Sequence, residues 1–167
     1  MLPRTDEPVI HVSISKQLLS LMAKQVVAAE FSISTAANGP GEEQNSGCTP
    51  RGWHQVRAKI GANVPINTVF QGRRPTGEIY GPDLAARYPN RDWILTRILW
   101  LSGLESGKNR LGHVDTMRRY IYIHGSPDTA EMGMPRSHGC IRMHNADIVD
   151  LFQLVSPGTR VWISEFW

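Results

Sequence analysis

The run Ser137-His138-Gly139-Cys140-Ile141-Arg142 sets a thiol two residues after an imidazole, with a glycine between them. In an extended backbone, side chains two apart share a face, so His138, Cys140 and Arg142 are expected to point the same way. A second imidazole, His124, closes the apolar run Tyr120-Ile121-Tyr122-Ile123 and is followed by Gly125. One thiol, two imidazoles and a guanidinium on short, stiff elements are the raw material of nucleophilic cysteine chemistry. A free thiol is only a few per cent ionised at neutral pH, so that chemistry asks for an imidazole or backbone dipoles to lower its pKa. Either histidine can serve, and spacing alone favours His138.

The backbone adds to this set. His124 shares a strand face with Tyr120 and Tyr122, opposite Ile121 and Ile123. Gly125 leaves an open backbone whose carbonyl can accept a hydrogen bond from an imidazole N–H and fix its tautomer. Gly139 has no Cβ, so substrate can approach the chain closely there, and the N–H groups around His138, Gly139 and Cys140 can face a developing oxyanion. Arg142 serves either a salt bridge or the cleft.

Plainer readings compete. Taken alone, a His-x-Cys pair is more often a buried thiol beside a satisfied histidine than a catalytic pair. Zinc takes ligands such as His124, His138, Cys140 and His144, but a lone thiolate without a Cys-x-x-Cys partner is atypical, and no metal or cofactor is expected. Cys48, beside Thr49-Pro50, reads as a packing residue, and both cysteines are expected to be reduced. His11, His54 and His113 have no partner at a telling spacing, and His144 reads as structural. Trp93 and Trp100 belong to an apolar strand.

Short apolar or alternating segments separated by turn residues predict a mainly β domain. Strands are expected over residues 11–15, 17–22, 26–34, 54–61, 93–101, 120–124, 139–143 and 159–164. Residues 38–47, 71–77 and 102–114 read as loops, and such loops often carry binding function. One helix is clearly signalled: Asn145 is a good N-cap, Ile148, Leu151, Phe152 and Val155 form an apolar stripe, and Pro157-Gly158 ends it. Ala85-Ala86-Arg87 reads as a shorter helical turn. The long helix follows the cysteine strand directly and is expected to anchor it.

The 167 residues suffice for one core, and a single domain over residues 1–167 is expected. With 41% hydrophobic and 20% charged residues the composition is that of an ordinary soluble enzyme, and no apolar run is long enough to insert in a membrane. The net charge of +3 comes from scattered Lys and Arg without interleaved aromatics, which argues against nucleic acid as a partner. Residues 1–8 carry acidic groups and no apolar core follows, so a cytoplasmic protein is expected if Met1 is the natural start, and a periplasmic one if an export signal has been removed. The sequence leaves the oligomeric state open.

At His124-Gly125-Ser126 and Ser137-His138-Gly139-Cys140-Ile141-Arg142 the chain resembles the L,D-transpeptidase catalytic domain, also called the YkuD domain. That family pairs a His-Gly-Thr-like element with a later Ser-His-Gly-Cys element; Ser126 replaces the common threonine and keeps its hydroxyl. Gln17-Leu18-Leu19 looks like the family's opening strand and Thr49-Pro50-Arg51-Gly52 like its Thr-Pro-x-Gly turn. Residues 94–97 through Val114-Asp115-Thr116 look like a proteobacterial version. The resemblance implies a β-sandwich or barrel-like fold with one or two short helices. It implies Cys140 as nucleophile, His124 as its general base and the Gly125 carbonyl as the group orienting that base, which reverses the ranking that spacing alone gives. His138, Ser137, Gly139 and Arg142 are then expected to shape the oxyanion and substrate site.

The implied substrate is a peptidoglycan stem peptide or muropeptide. A tetrapeptide would be attacked between its third residue, typically meso-diaminopimelate, and the terminal D-Ala. Water then makes the enzyme an L,D-carboxypeptidase of cell-wall recycling, and a second stem makes it an L,D-transpeptidase. A carbapenem is expected to acylate the cysteine. A non-catalytic peptidoglycan-binding protein on the same fold is the remaining reading, against which the intact His124, His138 and Cys140 speak.

Overall fold

A computed structural model describes residues 6–166, so the reading of residues 1–8 falls largely outside the described part. Ten strands follow in order: β1 (Val9–Ser13), β2 (Leu18–Ala23), β3 (Val26–Ser32), β4 (Gly52–Ile60), β5 (Thr68–Gln71), β6 (Arg74–Ile79), β7 (Ile94–Gly103), β8 (Tyr122–Ser126), β9 (Ile141–His144) and β10 (Arg160–Ser164). Two helices join them, α1 (Pro82–Arg87) and α2 (Asn145–Leu154). The mainly β expectation with one or two short helices holds. All ten strands belong to one curled sheet of order β3-β2-β1-β10-β4-β7-β5-β6, from which β8 branches off β7 and carries β9.

The branch at β7 builds the site. This strand pairs antiparallel with β4 and β5 and also with β8, and its ladder to β8 is irregular between Leu95 and Ile98. Strand β9 then lies parallel to β8, with Ile123 opposite Ile141 and His124 opposite Arg142. Because side chains alternate, Ile123, Ile141 and Met143 face the core while Tyr122, His124 and Arg142 face the other way. That core takes in Ile121 and the helix stripe Ile148, Leu151, Phe152 and Val155, all buried. Each such side chain contributes roughly 1.5–3 kcal/mol of burial, which fixes α2 against the back of β7, β8 and β9.

Several expectations are corrected. Residues 71–77 are no loop: Gln71 pairs with Arg74, and the two residues between them, Gly72 and Arg73, have φ of 53° and 66°. A two-residue turn with both φ positive matches the right-handed twist of a hairpin, so β5 and β6 form one. Strand β6 escapes sequence reading because it is mostly exposed and contains Pro75 and Gly77; as the last strand of the sheet it tolerates a proline without an N–H. Ser102 and Gly103 belong to β7 and leave the expected loop. Tyr120 is not in a strand; its φ of 56° ends a turn, and β8 starts at Tyr122.

Asn145 is not the cap of α2. Strand β9 runs into the helix without a break, so His144 holds the N-cap position and Asn145 lies inside the first turn, buried. Its side-chain oxygen accepts a hydrogen bond from Thr96 Oγ1 at 2.6 Å, and its Nδ2 donates to Asn67 Oδ1 at 2.8 Å. Thr96 has a φ of 73° within β7 and accepts in turn from the Asn67 N–H at 3.0 Å. A buried polar knot thus ties the start of α2 to the irregular part of β7, where an unpaired amide would be costly.

Candidate active site

Cys140 sits at the end of a short turn that the surrounding chain braces from several sides. Gly139 has a φ of 137°, and a Cβ there would lie 3.2 Å from Ile121 Cδ1 and 3.3 Å from the Cys48 carbonyl, so only glycine fits. Ser137 Oγ donates to the Cys140 carbonyl at 2.5 Å and accepts from the Gly139 N–H at 3.2 Å. Thr49 Oγ1 donates to the Gly139 carbonyl at 2.9 Å. The Ser137 hydroxyl is therefore spent on holding the turn, and the Gly139 N–H is taken. No acceptor for the N–H of His138 or Cys140 is found among the described residues.

The left-handed excursion at Gly139 also breaks the simple alternation expected over residues 138–142. His138, Cys140 and Arg142 still line one cavity of about 490 Å³, together with His124 and Asp92. His138 stands at its rim with 77% of its side chain exposed, while His124 lies at the bottom with 1%.

His124 is fixed through its backbone neighbour. Its Nδ1 lies 2.6 Å from the Gly125 carbonyl, so Nδ1 carries the hydrogen and Nε2 is left as an acceptor. Gly125 is not the open stretch that the sequence suggests. An added Cβ would lie 2.6 Å from both the Leu95 carbonyl and Asn145 Oδ1, so the glycine is required by close packing against the polar knot behind it. Burial lowers the pKa of His124; the Gly125 carbonyl and the Asp92 carboxylate oppose this without reversing it. The imidazole is neutral at pH 7.

The thiol is neutral as well. Cys140 Sγ accepts from the Tyr122 N–H at 3.3 Å and donates to the Tyr120 carbonyl at 3.4 Å. Burial pushes its pKa up to about 12; the Tyr122 amide and the Arg142 and Arg119 guanidinium groups lower it, but by less. The expectation of a pKa lowered by an adjacent imidazole is thus not met in the free protein, because desolvation of the thiolate outweighs every nearby positive group. Alkylation of Cys140 by iodoacetamide, followed by peptide mapping, is expected to accelerate about tenfold per pH unit past pH 10 without a plateau. A plateau reached by pH 7 would instead reveal a standing thiolate–imidazolium pair.

Three charged residues that sequence reading missed complete the walls. Asp92, in the loop before β7, accepts from Arg142 Nη2 at 2.9 Å and lies 3.5 Å from His138 Nδ1. Burial raises its pKa, but the combined pull of His124, Arg142 and His138 outweighs this and holds the carboxyl below its ordinary range. Arg142 therefore fills both roles left open for it, as an ion-pair partner and as cavity wall. Arg119 donates to the Cys48 carbonyl at 2.6 Å and Arg73 to the Tyr122 hydroxyl at 3.0 Å. Single charges far apart in sequence carry no spacing signal. Gly72 is the one local sign that Arg73 lies in a turn, and it does not say what the turn faces.

Outside this cavity, His54 is a core histidine, bonded to the Gly52 carbonyl and Thr116 Oγ1, and burial drops its pKa to about 4. Cys48 is a free thiol packed in its loop, near the Asn38 and Ser46 carbonyls. Among the described residues no three His, Cys, Asp or Glu side chains are grouped as a metal ion requires.

The family model of the L,D-transpeptidase catalytic domain, YkuD, matches residues 7–163. A Bacillus subtilis protein, YkuD, assigned by name to the L,D-transpeptidases, is 45% identical over 47 residues, which is 28% of this chain and 29% of the relative. A second Bacillus subtilis relative named in the same way, YqjB, is 49% identical over 47 residues, 28% of this chain and 27% of its own length. The aligned segments thus span less than a third of these relatives. Among solved structures, L,D-transpeptidase 3 from Mycobacterium tuberculosis in complex with a faropenem-derived adduct superposes with a TM-score of 0.57 at 16% identity, covering 95% of this chain and 60% of that one. The L,D-transpeptidase from Mycobacterium smegmatis superposes with a TM-score of 0.55 at 17% identity, covering 95% and 58%. At these identities the likeness speaks for the fold.

Proposed function

Because the chain belongs to the L,D-transpeptidase catalytic domain family, we propose that it is a cysteine acyl-transfer enzyme acting on peptidoglycan stem tetrapeptides, with Cys140 as nucleophile and His124 as general base. The observation that carries this reading is the bond from His124 Nδ1 to the Gly125 carbonyl, which presents Nε2 as an acceptor in the cavity that Cys140 lines. A base held by a third group beside a nucleophile is the general form of an acyl-transfer site.

Both partners are neutral at rest, so activation coincides with attack. The S–H turns from the Tyr120 carbonyl to His124 Nε2, which takes the proton as sulfur bonds to the carbonyl carbon of the third residue. The N–H groups of His138 and Cys140 receive the oxyanion; Ser137 and Gly139 hold the turn that aims them. The tetrahedral intermediate collapses, the C–N bond breaks, and the imidazolium passes its proton to the departing D-Ala amine. An acyl-thioester on Cys140 remains.

Water is the proposed acceptor, giving an L,D-carboxypeptidase: His124 takes a proton from water as it attacks the thioester, and returns it to the thiolate. The exposed rim at His138 supports this, because water reaches such a thioester without a binding site of its own. The cross-linking reading draws on one feature, a second concavity of about 210 Å³ lined by Asp92, Trp93, Pro127, His138 and Arg142, which offers an acceptor stem a place to lie. Incubation with a free tetrapeptide muropeptide is expected to yield tripeptide and D-Ala; dimers without tripeptide would overturn the hydrolytic choice. Hydrolysis goes with the cytoplasm, where recycled peptides are trimmed, and cross-linking with the periplasm, so fractionation of cells bears on the same choice. A carbapenem is expected to acylate Cys140.

A further inference from the structure

Three guanidinium groups line the cavity in front of Cys140, and they differ in what they have left to give. Arg142 is paired with the Asp92 carboxylate at 2.9 Å. Arg119 spends both terminal nitrogens on the protein: Nη1 donates to the Gly41 and Glu42 carbonyls, and Nη2 to the Cys48 carbonyl and Ser46 Oγ. Arg73 makes one neutral hydrogen bond, to the Tyr122 hydroxyl at 3.0 Å. Its guanidinium also lies over two ring faces, at 4.6 Å from the Trp100 ring centre and 4.9 Å from that of Tyr120, and among the described residues no carboxylate pairs with it.

Stacking occupies the flat face of a guanidinium and leaves its in-plane N–H donors available, so Arg73 is oriented by the aromatic rings without being neutralised. The backbone fixes the root of the side chain as well: the φ of 66° at Arg73 belongs to the tight two-residue turn that it forms with Gly72 between the paired Gln71 and Arg74. The tip of the β5–β6 hairpin thus holds a preoriented cation beside the turn whose carbonyl and amide, from Tyr120 and Tyr122, cradle the Cys140 sulfur.

We infer that Arg73 is a specificity residue that binds a carboxylate of the substrate peptide and so sets the scissile bond against Cys140. The inference rests on the stem-peptide reading above. That substrate carries two carboxylates near the bond that breaks, on the terminal D-Ala and on the side chain of a diaminopimelate third residue, and either fits the fork of a guanidinium.

Binding, measured without turnover, separates this inference from the catalytic one. The Cys140→Ala protein is titrated calorimetrically with the free-acid tetrapeptide, with its terminal amide, and with its third-residue side-chain amide. The same is done for Cys140→Ala carrying Arg73→Gln, Arg73→Lys or Tyr122→Phe. Arg73→Gln is expected to weaken the free acid about 10- to 100-fold and to leave one of the two amides unchanged, which identifies the carboxylate that Arg73 holds. Arg73→Lys keeps the charge, loses the fork and falls between the two. Tyr122→Phe frees the guanidinium from its hydroxyl and retains the full preference for the acid. Equal weakening of all three peptides by Arg73→Gln, no effect on any of them, or no binding of any peptide to Cys140→Ala overturns the inference. Absence of tetrapeptide turnover with these binding results intact would count against the catalytic reading alone.

Discussion

Replacing His124 by glutamine lowers the rate of acyl-enzyme formation about 10³-fold while the chain stays folded. Glutamine reaches as far as imidazole but cannot accept a proton, and at Cys140 that proton must go somewhere. With the thiol pKa pushed up to about 12, a thiolate is a rare species at pH 7, so the reaction depends on a base that acts during attack. His124 has a pKa below the ordinary histidine value, which makes it a weaker base but keeps it unprotonated down to lower pH. The acid limb of kcat/KM is therefore expected below pH 6.5, where a histidine with a raised pKa would place it above. Single-turnover release of D-Ala measures both effects. The parallel variant His138→Gln tests the ranking of the two histidines, since its exposed side chain lies at the rim. If His138→Gln abolished acylation and His124→Gln left it within tenfold, the base would be His138, as local spacing alone favours.

Gly125→Ala is expected to damage fold and chemistry together. The new methyl would stand 2.6 Å from the Leu95 carbonyl, 2.6 Å from Asn145 Oδ1 and 3.1 Å from Ile148 Cγ2. The first of these is backbone in a paired strand and cannot swing aside. Displacing β8 from β7, or breaking the Asn145–Thr96 bond at 2.6 Å, costs about 3 kcal/mol, and in a chain of this size the melting temperature falls by roughly 6–12 °C. At a temperature where the variant is still folded, acylation should be slower by about 10²-fold, because the displaced Gly125 carbonyl no longer aims His124. Differential scanning calorimetry and single-turnover kinetics read the two effects. Unchanged melting would mean that the strand relaxes freely, and unchanged kinetics that the carbonyl does not orient the base.

How far the sequence carries can be read from these same residues. Strand β10, expected over 159–164 and found over Arg160–Ser164, and the apolar stripe of α2 with Val155 just past its end were legible because burial on one face writes a period into the chain, whereas β1, expected over 11–15, lies two residues earlier. Cys140, His124, His138 and Arg142 were legible as residue types, and the structure brings all four to one cavity. The polar knot behind them was not. Asn145 has the composition of a cap, but β9 enters α2 without a turn, and the side chain is drawn instead to Thr96 and Asn67, which are distant in sequence. Gly125 reads as open backbone until its neighbours from β7 and α2 are known. Asp92 and Arg73 are lone charges in segments of loop-like composition, brought to the cavity by the branching of the sheet at β7, which leaves no local trace.

The most direct test is intact-mass spectrometry of the protein quenched in acid shortly after mixing with a stem tetrapeptide. The predicted result is an adduct whose mass is that of the tetrapeptide less D-Ala, carried on Cys140 by peptide mapping and absent from the Cys140→Ala variant. Free D-Ala should appear in step with the adduct. Release of D-Ala at an undiminished rate by Cys140→Ala would contradict the assignment of Cys140 as the nucleophile.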